Sequence, residues 1–230
     1  MNEIMDGLIK AFQLIFSGDP RVIEITLRSL YVSGAATLIA TLWGIPIAMV
    51  LGLRNFRTKF ILKGICHALL GIPTVGLGLI LYLFLSKAGP AGFFGLLYTP
   101  TAIIIGEAIL ITPIIVSLAT AAIENVDPEI VNQAKTLGAS ESQASVTVLK
   151  EAMAGVILAG IASFNRAIAE LGVAQMVGGN IAGSTEVLTT AVSNETQRGN
   201  IELSIALAII LLTLVFVISI TVNVYQRRRK

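Results

Sequence analysis

The chain of 230 residues holds one cysteine, one histidine and one tryptophan. A single thiol, Cys66, excludes an internal disulfide framework. Cys66 and His67 are neighbours, but a metal site needs three or four ligands, and no other Cys or His exists to complete one. Both read as packing residues, and neither a metal nor a cofactor is expected. One histidine allows no H-E-x-x-H pair and only His67 for a Ser–His–Asp set, so a membrane hydrolase is not expected. No G-x-x-x-x-G-K-[ST] phosphate loop occurs, which excludes nucleotide hydrolysis of that type. Charge is scarce as well. Asp, Glu, Lys and Arg make up 13% of the residues, against roughly 25% in a soluble domain. Such a chain cannot cover a globular surface with charge. The net charge of +2 points to no nucleic-acid partner.

What the chain has instead is long apolar runs. Hydrophobic residues make up 55%, and the mean hydropathy is +0.85. The stretches 29–53, 64–86 and 203–226 carry no charge. Each exceeds the ~20 residues that cross ~30 Å of hydrocarbon at ~1.5 Å per residue. Two further apolar stretches carry charge: 100–123 contains Glu107, and 152–177 contains Arg166 and Glu170. The expectation is an all-α integral membrane protein embedded in the lipid bilayer. It has about five transmembrane helices, at about 29–53, 61–86, 100–123, 152–177 and 203–226, in one domain over 21–226. Residues 1–20 form an N-terminal interfacial helix and turn, 124–151 a polar loop, and 227–230 a basic tail. Apolar residues at Ile4, Leu8 and Phe12 have helical spacing, but the helix is too short to span. It reads as lying on the bilayer surface or as an ordinary packing helix. Pro46, Pro73 and Pro113 fall inside the first three spans, where kinks are expected.

Orientation follows from the distribution of Lys and Arg. Ten fall on one side: Arg54, Arg57, Lys59, Lys63, Lys135, Lys150 and the last four residues. Five fall on the other (Lys10, Arg21, Arg28, Lys87 and Arg198), and Arg166 is intramembrane. The richer side is expected to be cytoplasmic, with the N-terminus outside and the C-terminus inside a multi-pass cell membrane.

The loop at 124–151 lies on that cytoplasmic side. Asp127-Pro128-Glu129 is a helix start. Gly138 is a stop of the left-handed kind. Ser140 with Gln143 forms a capping-box pattern for a second short helix. The result is a helix–Gly–helix knuckle that presents Ala134, Leu137 and Ala139 with nothing of its own to cover them. It reads as a docking site or as a loop helix packed on its own span ends. Within the spans, Arg166 and Glu170 are four residues apart and can pair, and Glu107 is available as a third partner. These charges read either as part of a pathway or as a structural brace. The Gly- and Thr-rich stretch 178–192 reads as a re-entrant or outer gate segment, or as a plain loop. Asn180, Ser184, Thr185, Thr189 and Thr190 are its polar candidates.

With these residues in view, the chain resembles the permeases of ABC importers. The coupling loop of that family opens Glu-Ala-Ala, carries Gly four residues after the last Ala, and continues to a Leu-Pro…Pro-Gly run. Here Ala134, Gly138, Leu149 and Gly155 match. Asn132 and Gln133 replace the Glu and first Ala, and Lys150 and Ala154 stand where the prolines would. The stretches "TLGAS", "FNRAIAELGVAQMVGGNIAGSTEVLTTAV" and "GIPTVGLGLILYLFLSKAGPAGFFGLLYTP" resemble the oxyanion branch, tungstate permeases most and molybdate permeases next. The resemblance covers nearly the whole chain. It implies the type I importer permease fold and no enzymatic activity of this chain. Two copies would form the pathway for a tetrahedral oxyanion. Two copies of a separate ATPase would dock on coupling residues Asn132, Gln133, Ala134, Leu137, Gly138, Ala139 and Ser140. An extracytoplasmic binding protein would deliver the anion. The alternatives are a molybdate or other small-solute importer permease and, from a different class, a stand-alone secondary transporter. Five spans do not divide into two equal halves, as the inverted repeats of many secondary transporters would require.

Overall fold

A computed structural model describes residues 2–227, without the side chains of residues 2–4, 6, 7, 10, 222, 223 and 225–227. Of the basic tail, 228–230 lie outside the described residues. The described residues form eleven α-helices and no strand: α1 (Asn2–Phe16), α2 (Pro20–Leu53), α3 (Lys59–Leu69), α4 (Thr74–Leu85), α5 (Pro100–Glu124), α6 (Glu129–Thr136), α7 (Glu141–Glu151), α8 (Met153–Ile168), α9 (Gly172–Gly178), α10 (Leu188–Gln197) and α11 (Ile201–Arg227).

Three helices are long and apolar enough to cross a membrane: α2, α5 and α11 up to Thr221. Two bent pairs bring the number to five if each pair is one crossing: α3 with α4, bent by 99°, and α7 with α8, bent by 64°. The stretch at 100–123 is one helix, begun by the Thr99 side chain, which accepts from Ala102 N–H, and by Pro100 at the first helical position. The stretch at 29–53 is longer than its uncharged run. Asp19 Oδ1 accepts from the backbone N–H of Arg21 (2.9 Å) and Val22 (3.1 Å), and Pro20 opens the helix. Charged residues in the early turns do not end it, because Arg28 pairs with Glu24 and Arg21 has distant partners described below.

The other two apolar stretches are not single helices. At 61–86 the chain breaks at residues 70–73, with Pro73 capping α4. Pro46 and Pro113, by contrast, sit inside continuous helices. At 152–177 the chain breaks between α8 and α9 around Glu170. The N-terminal helix does not stand alone: α1 packs on α11, with Ala11 buried and Leu14 set against the cluster of Val22, Ile25, Leu188 and Leu207. α3 buries none of its residues, and His67 is exposed, not packed as expected.

The core is organised on α5. Against it lies the small-residue stripe of α2: Ser29, Ser33, Ala36, Ala40, Gly44 and Ala48 are all buried. These recur every three or four residues, so they share one helix face. A Cβ added at Gly44 would stand 2.9 Å from Ile115 Cγ2, and one at Gly52 would stand 2.6 Å from Ile123 Cγ2. The same close approach brings α9 and α8 onto α5: a Cβ at Gly106 would meet Val173 Cγ1 at 2.5 Å, and one at Gly155 would meet Ala122 Cβ at 2.5 Å. In lipid there is little hydrophobic gain from helix association, so backbone proximity and van der Waals packing carry it.

Gly52→Val is therefore expected to force α2 off α5, at a cost of about 1–3 kcal/mol, and to lower the melting temperature of the detergent-solubilised protein by several degrees. Gly34→Ala, at a helical position where a Cβ meets nothing within 4 Å, should melt within a degree of the parent. Equal melting of the two variants would refute the seam.

Candidate functional site

Two regions stand out. The first is the knuckle. Asp127 Oδ1 accepts from Glu129 N–H (2.9 Å), which starts α6. The helix ends in a Schellman arrangement: Gly138 N–H donates to Lys135 O (3.0 Å) and Ala139 N–H to Ala134 O (3.0 Å). Gly138 holds φ at +86°, and nothing lies within 4 Å of where its Cβ would be, so only backbone conformation requires glycine there. Ser140 then opens α7 with a complete capping box: Gln143 Oε1 accepts from Ser140 N–H (2.8 Å) and Ser140 Oγ from Gln143 N–H (3.3 Å). Lys135 reaches Glu141 across the turn at 3.3 Å.

α6 buries no residue. Leu137 is 88% exposed. Ala134 and Ala139 are half-buried, and Asn132, Gln133, Gly138 and Ser140 are exposed. Leu137, Ala139, Val146 and Lys150 edge a concavity of about 620 Å³. The local turn chemistry thus holds an apolar side chain out into solvent on a well-defined backbone.

The second region is the break between α8 and α9. Arg166, in the last turn of α8, donates from Nη1 to Glu170 Oε2 at 2.6 Å. The other carboxylate oxygen, Oε1, accepts from Val173 N–H at 3.0 Å, and the Glu170 carbonyl accepts from Thr189 Oγ1 at 2.7 Å. Glu170 is buried, while the Arg166 side chain is 37% exposed. Arg166 lines a concavity of about 460 Å³ with Thr74, Val75, Leu171, Gln175 and Met176. Glu107 makes no salt bridge with Arg166, but it lies close enough to interact with the charges of both Arg166 and Glu170. It is 1% exposed on α5 beside Ser33, and its Oε2 has no hydrogen-bond partner.

The threonines at 185, 189 and 190 have other occupations. Thr185 Oγ1 donates to Gly178 O (2.6 Å) and accepts from Ile181 N–H (2.9 Å), closing the loop on itself. Thr189 holds Glu170. Thr190 Oγ1 both accepts from Val187 N–H and donates to Val187 O at 3.0 Å. Asn180 takes a left-handed φ of 49°, and its buried Oδ1 has no hydrogen-bond partner, whereas Ser184 is exposed. Instead of a row of open hydroxyls, the segment is a folded loop followed by α10. Ser29 Oγ accepts from the N–H of Leu188 at 2.7 Å, which ties the start of α10 to α2.

A further cluster escaped sequence reasoning. Arg21 Nη2 reaches Glu186 Oε1 at 3.0 Å and Glu195 Oε1 at 2.7 Å. Asn200 Nδ2 donates to Glu195 Oε2 at 2.9 Å, and Arg198 lies at 3.5 Å. Arg28 Nη1 donates to the Glu186 carbonyl at 3.0 Å. These contacts fasten α10 and its preceding loop to the first turns of α2. The signal available in the sequence was the excess of acids, Glu186 and Glu195, in a segment otherwise poor in charge.

Comparison with known proteins decides the family. Residues 44–230 match the binding-protein-dependent transport system inner membrane component family. The chain belongs to this family. Among similar transport components is the tungstate uptake system permease protein TupB of Peptoclostridium acidaminophilum, 37% identical, with 98% of this chain and 99% of that protein covered. The TupB of Campylobacter jejuni is 36% identical, over 99% of this chain and 95% of that protein. The molybdenum transport system permease protein ModB of Haemophilus influenzae stands at 26%, over 90% and 94%. Among solved structures, an inward-facing form of the MetNI methionine ABC transporter has a TM-score of 0.76 at 15% identity, covering 92% of this chain and 97% of that one. The fold is that of type I ABC importer permeases, and the transport component is a multi-pass inner-membrane protein. No group of three or more His, Cys, Asp or Glu placed to hold a metal occurs among the described residues.

The clamp on α10 carries a pH dependence. Burial works to raise the Glu195 carboxyl, but hydrogen bonds from Arg21 and Asn200 and the charges of Arg21 and Arg198 outweigh it, so the group stays below the usual carboxylate range. A depressed carboxylate stabilises the fold above its unfolded value of about 4.3, and that contribution is lost as pH falls through the folded value. The melting temperature of this transport component is expected to fall as pH drops below about 4.3, and less steeply for Glu195→Gln. Parallel pH profiles for the two proteins would refute the clamp.

Proposed function

We propose that the chain is the translocation subunit of an ABC importer for a tetrahedral oxyanion, tungstate. The observation that carries this reading is full-length similarity at 37% and 36% to two tungstate uptake permeases, against 26% for a molybdenum permease. A separate ATPase in two copies drives the cycle from the knuckle. A binding protein delivers the anion on the other side, and a second copy of this chain completes the pathway. The knuckle faces the cytoplasm, the N-terminus lies outside and the C-terminus inside, in keeping with the excess of Lys and Arg on the knuckle side.

The mechanics follow from the knuckle. Leu137, exposed on the knuckle, offers an apolar side chain for a partner groove to bury. α7 continues into α8 across the 64° bend, so displacement of the knuckle is transmitted to the helix that carries Arg166. Tilting of α5 and α8, which flank the knuckle, would open and close the pathway.

Deletion of this chain from its host is expected to abolish high-affinity tungstate uptake while molybdate uptake persists. Loss of molybdate uptake with tungstate unaffected would replace the substrate. Gly138→Val, forced into a left-handed φ, costs on the order of 1 kcal/mol locally. It should insert normally yet uncouple ATP hydrolysis from uptake, whereas Gly138→Asn, which tolerates that conformation, should retain coupling. Wild-type uptake by Gly138→Val would falsify the docking assignment.

Orientation has its own test. In a Cys66→Ala background, Ser184→Cys should react with an impermeant thiol reagent in intact cells, and Ser140→Cys only after the membrane is opened. Equal labelling of both in intact cells would overturn the topology.

A further inference from the structure

The concavity beside Arg166 has a lopsided chemistry. Arg166 uses Nη1 on Glu170, and no other hydrogen bond of its guanidinium to a described residue is formed. A guanidinium has five N–H donors. With the side chain 37% exposed, the unused donors open on the concavity. Both oxygens of Glu170 are engaged, one by Arg166 and one by Val173 N–H, and the residue is buried. Glu170 also lines the concavity, but both its carboxylate oxygens are already committed to donors. Thr74 and Gln175 add a hydroxyl and an amide to the lining, and Val75, Leu171 and Met176 are apolar. Glu107, the other buried acid of this layer, does not line the space.

We propose that this concavity is a transit site for a tetrahedral oxyanion, with Arg166 as the residue that receives it. The inference rests on the anion-import reading above and adds the place and the residue. The volume of about 460 Å³ admits a small oxyanion with part of its water shell. Planar, forked N–H groups suit the edges of a tetrahedral oxyanion. Glu170 sets the strength. A bare guanidinium at this depth would hold a dianion tightly, and flux needs a site that also lets go. With Glu170 matched to it, Arg166 exchanges one anionic partner for another and returns when the oxyanion leaves. Glu170 keeps its hold on Val173 N–H meanwhile, so the start of α9 stays in place during the exchange.

The test separates the site from the transport reading. In a full-length Cys66→Ala, Gln175→Cys protein, the exposed thiol at 175 reports on occupancy. Millimolar sodium tungstate or sulfate should slow its reaction with a thiol reagent at least fivefold relative to sodium chloride at equal ionic strength. Adding Arg166→Ala with Glu170→Gln should abolish that protection; the second change removes the buried unpaired carboxylate that would otherwise threaten folding. In proteoliposomes holding the assembled transporter with its ATPase and binding protein, the Arg166→Ala, Glu170→Gln protein should lose at least tenfold in tungstate uptake. That protein should still insert and co-purify with the ATPase at parental yield, and Arg166→Lys with Glu170 intact should recover part of the uptake. Uptake within twofold of the parent, absence of protection, or loss of uptake together with loss of assembly would each overturn the site. Protection by oxyanions in a protein that imports no tungstate would leave the site standing and refute the substrate.

Discussion

The fold depends on the absence of side chains between α2 and α5. Two helices in lipid gain little from burying apolar surface, since the lipid is as apolar as the partner. What holds them is close approach, and Gly44 and Gly52 allow it by leaving Ile115 and Ile123 nothing to clash with. Once α2 and α5 are locked, the remaining core is registered on α5. Val173 of α9 fits over Gly106, Ile103 meets Gly178, and Gly155 of α8 seats on Ala122. Each contact replaces a side chain with backbone on one partner, so each is intolerant of enlargement. Burial of Glu107 follows from the same constraint, because it neighbours Gly106 on a helix whose surroundings are filled.

The seam also explains how the two candidate regions are joined. α8 leaves the knuckle at Met153, and 16 residues later ends beside Arg166, a stiff lever of about 24 Å. Its knuckle end is packed through Val148, Ala152 and Val156 against Ala48, Ala119 and Ile123. At the far end, Glu170 gathers the Arg166 guanidinium, the first turns of α9 and the hydroxyl of Thr189 on α10. α10 is in turn fastened to α2 by Ser29 and Arg21. A displacement at the knuckle therefore has a continuous mechanical route to the opposite end, through one helix and one ion pair. The route is a spatial connection; coupling along it requires that Glu170 and its partners have two arrangements.

What could be read from the sequence was local. α5 has a capped start, an apolar length and a clean end, and its stretch was placed to within a residue. The knuckle was legible for the same reason, since Asp127, Gly138, Ser140 and Gln143 act on backbone a few residues away. The Arg166–Glu170 pair is four residues long and needed no tertiary knowledge. Long-range features were hidden. Arg21 meets Glu186 and Glu195 across 165 and 174 residues, a distance at which composition gives no pairing information. The early start of α2 was missed because charged residues looked like a boundary, when in the fold their partners carry them. The breaks in 61–86 and 152–177 arise together: Gly172 lies so near Thr74 that a Cβ would stand 2.6 Å from its hydroxyl. Two apolar stretches that could each have run straight instead turn around one another, and hydropathy is blind to that. Thr185 and Thr189 were noticed for their hydroxyls, but backbone carbonyls nearby claim them first.

The chemistry beside Arg166 also bears on where selectivity resides. Tungstate and molybdate are tetrahedral dianions of nearly equal size. Separating them takes a closed cage in which a small change of geometry alters many hydrogen bonds together. The concavity offers one guanidinium, one hydroxyl and one amide beside the Glu170 carboxylate, and the threonines of 185–190 are spent on backbone. Such a site recognises charge and shape class, not the identity of the central atom. On the oxyanion reading, discrimination then falls to the partner that captures the anion before it reaches the membrane. That division is physically consistent, because a component that binds tightly enough to discriminate would release too slowly to conduct. On that reading the permease is left free to be permissive, and the pairing of Arg166 with a buried glutamate keeps it so.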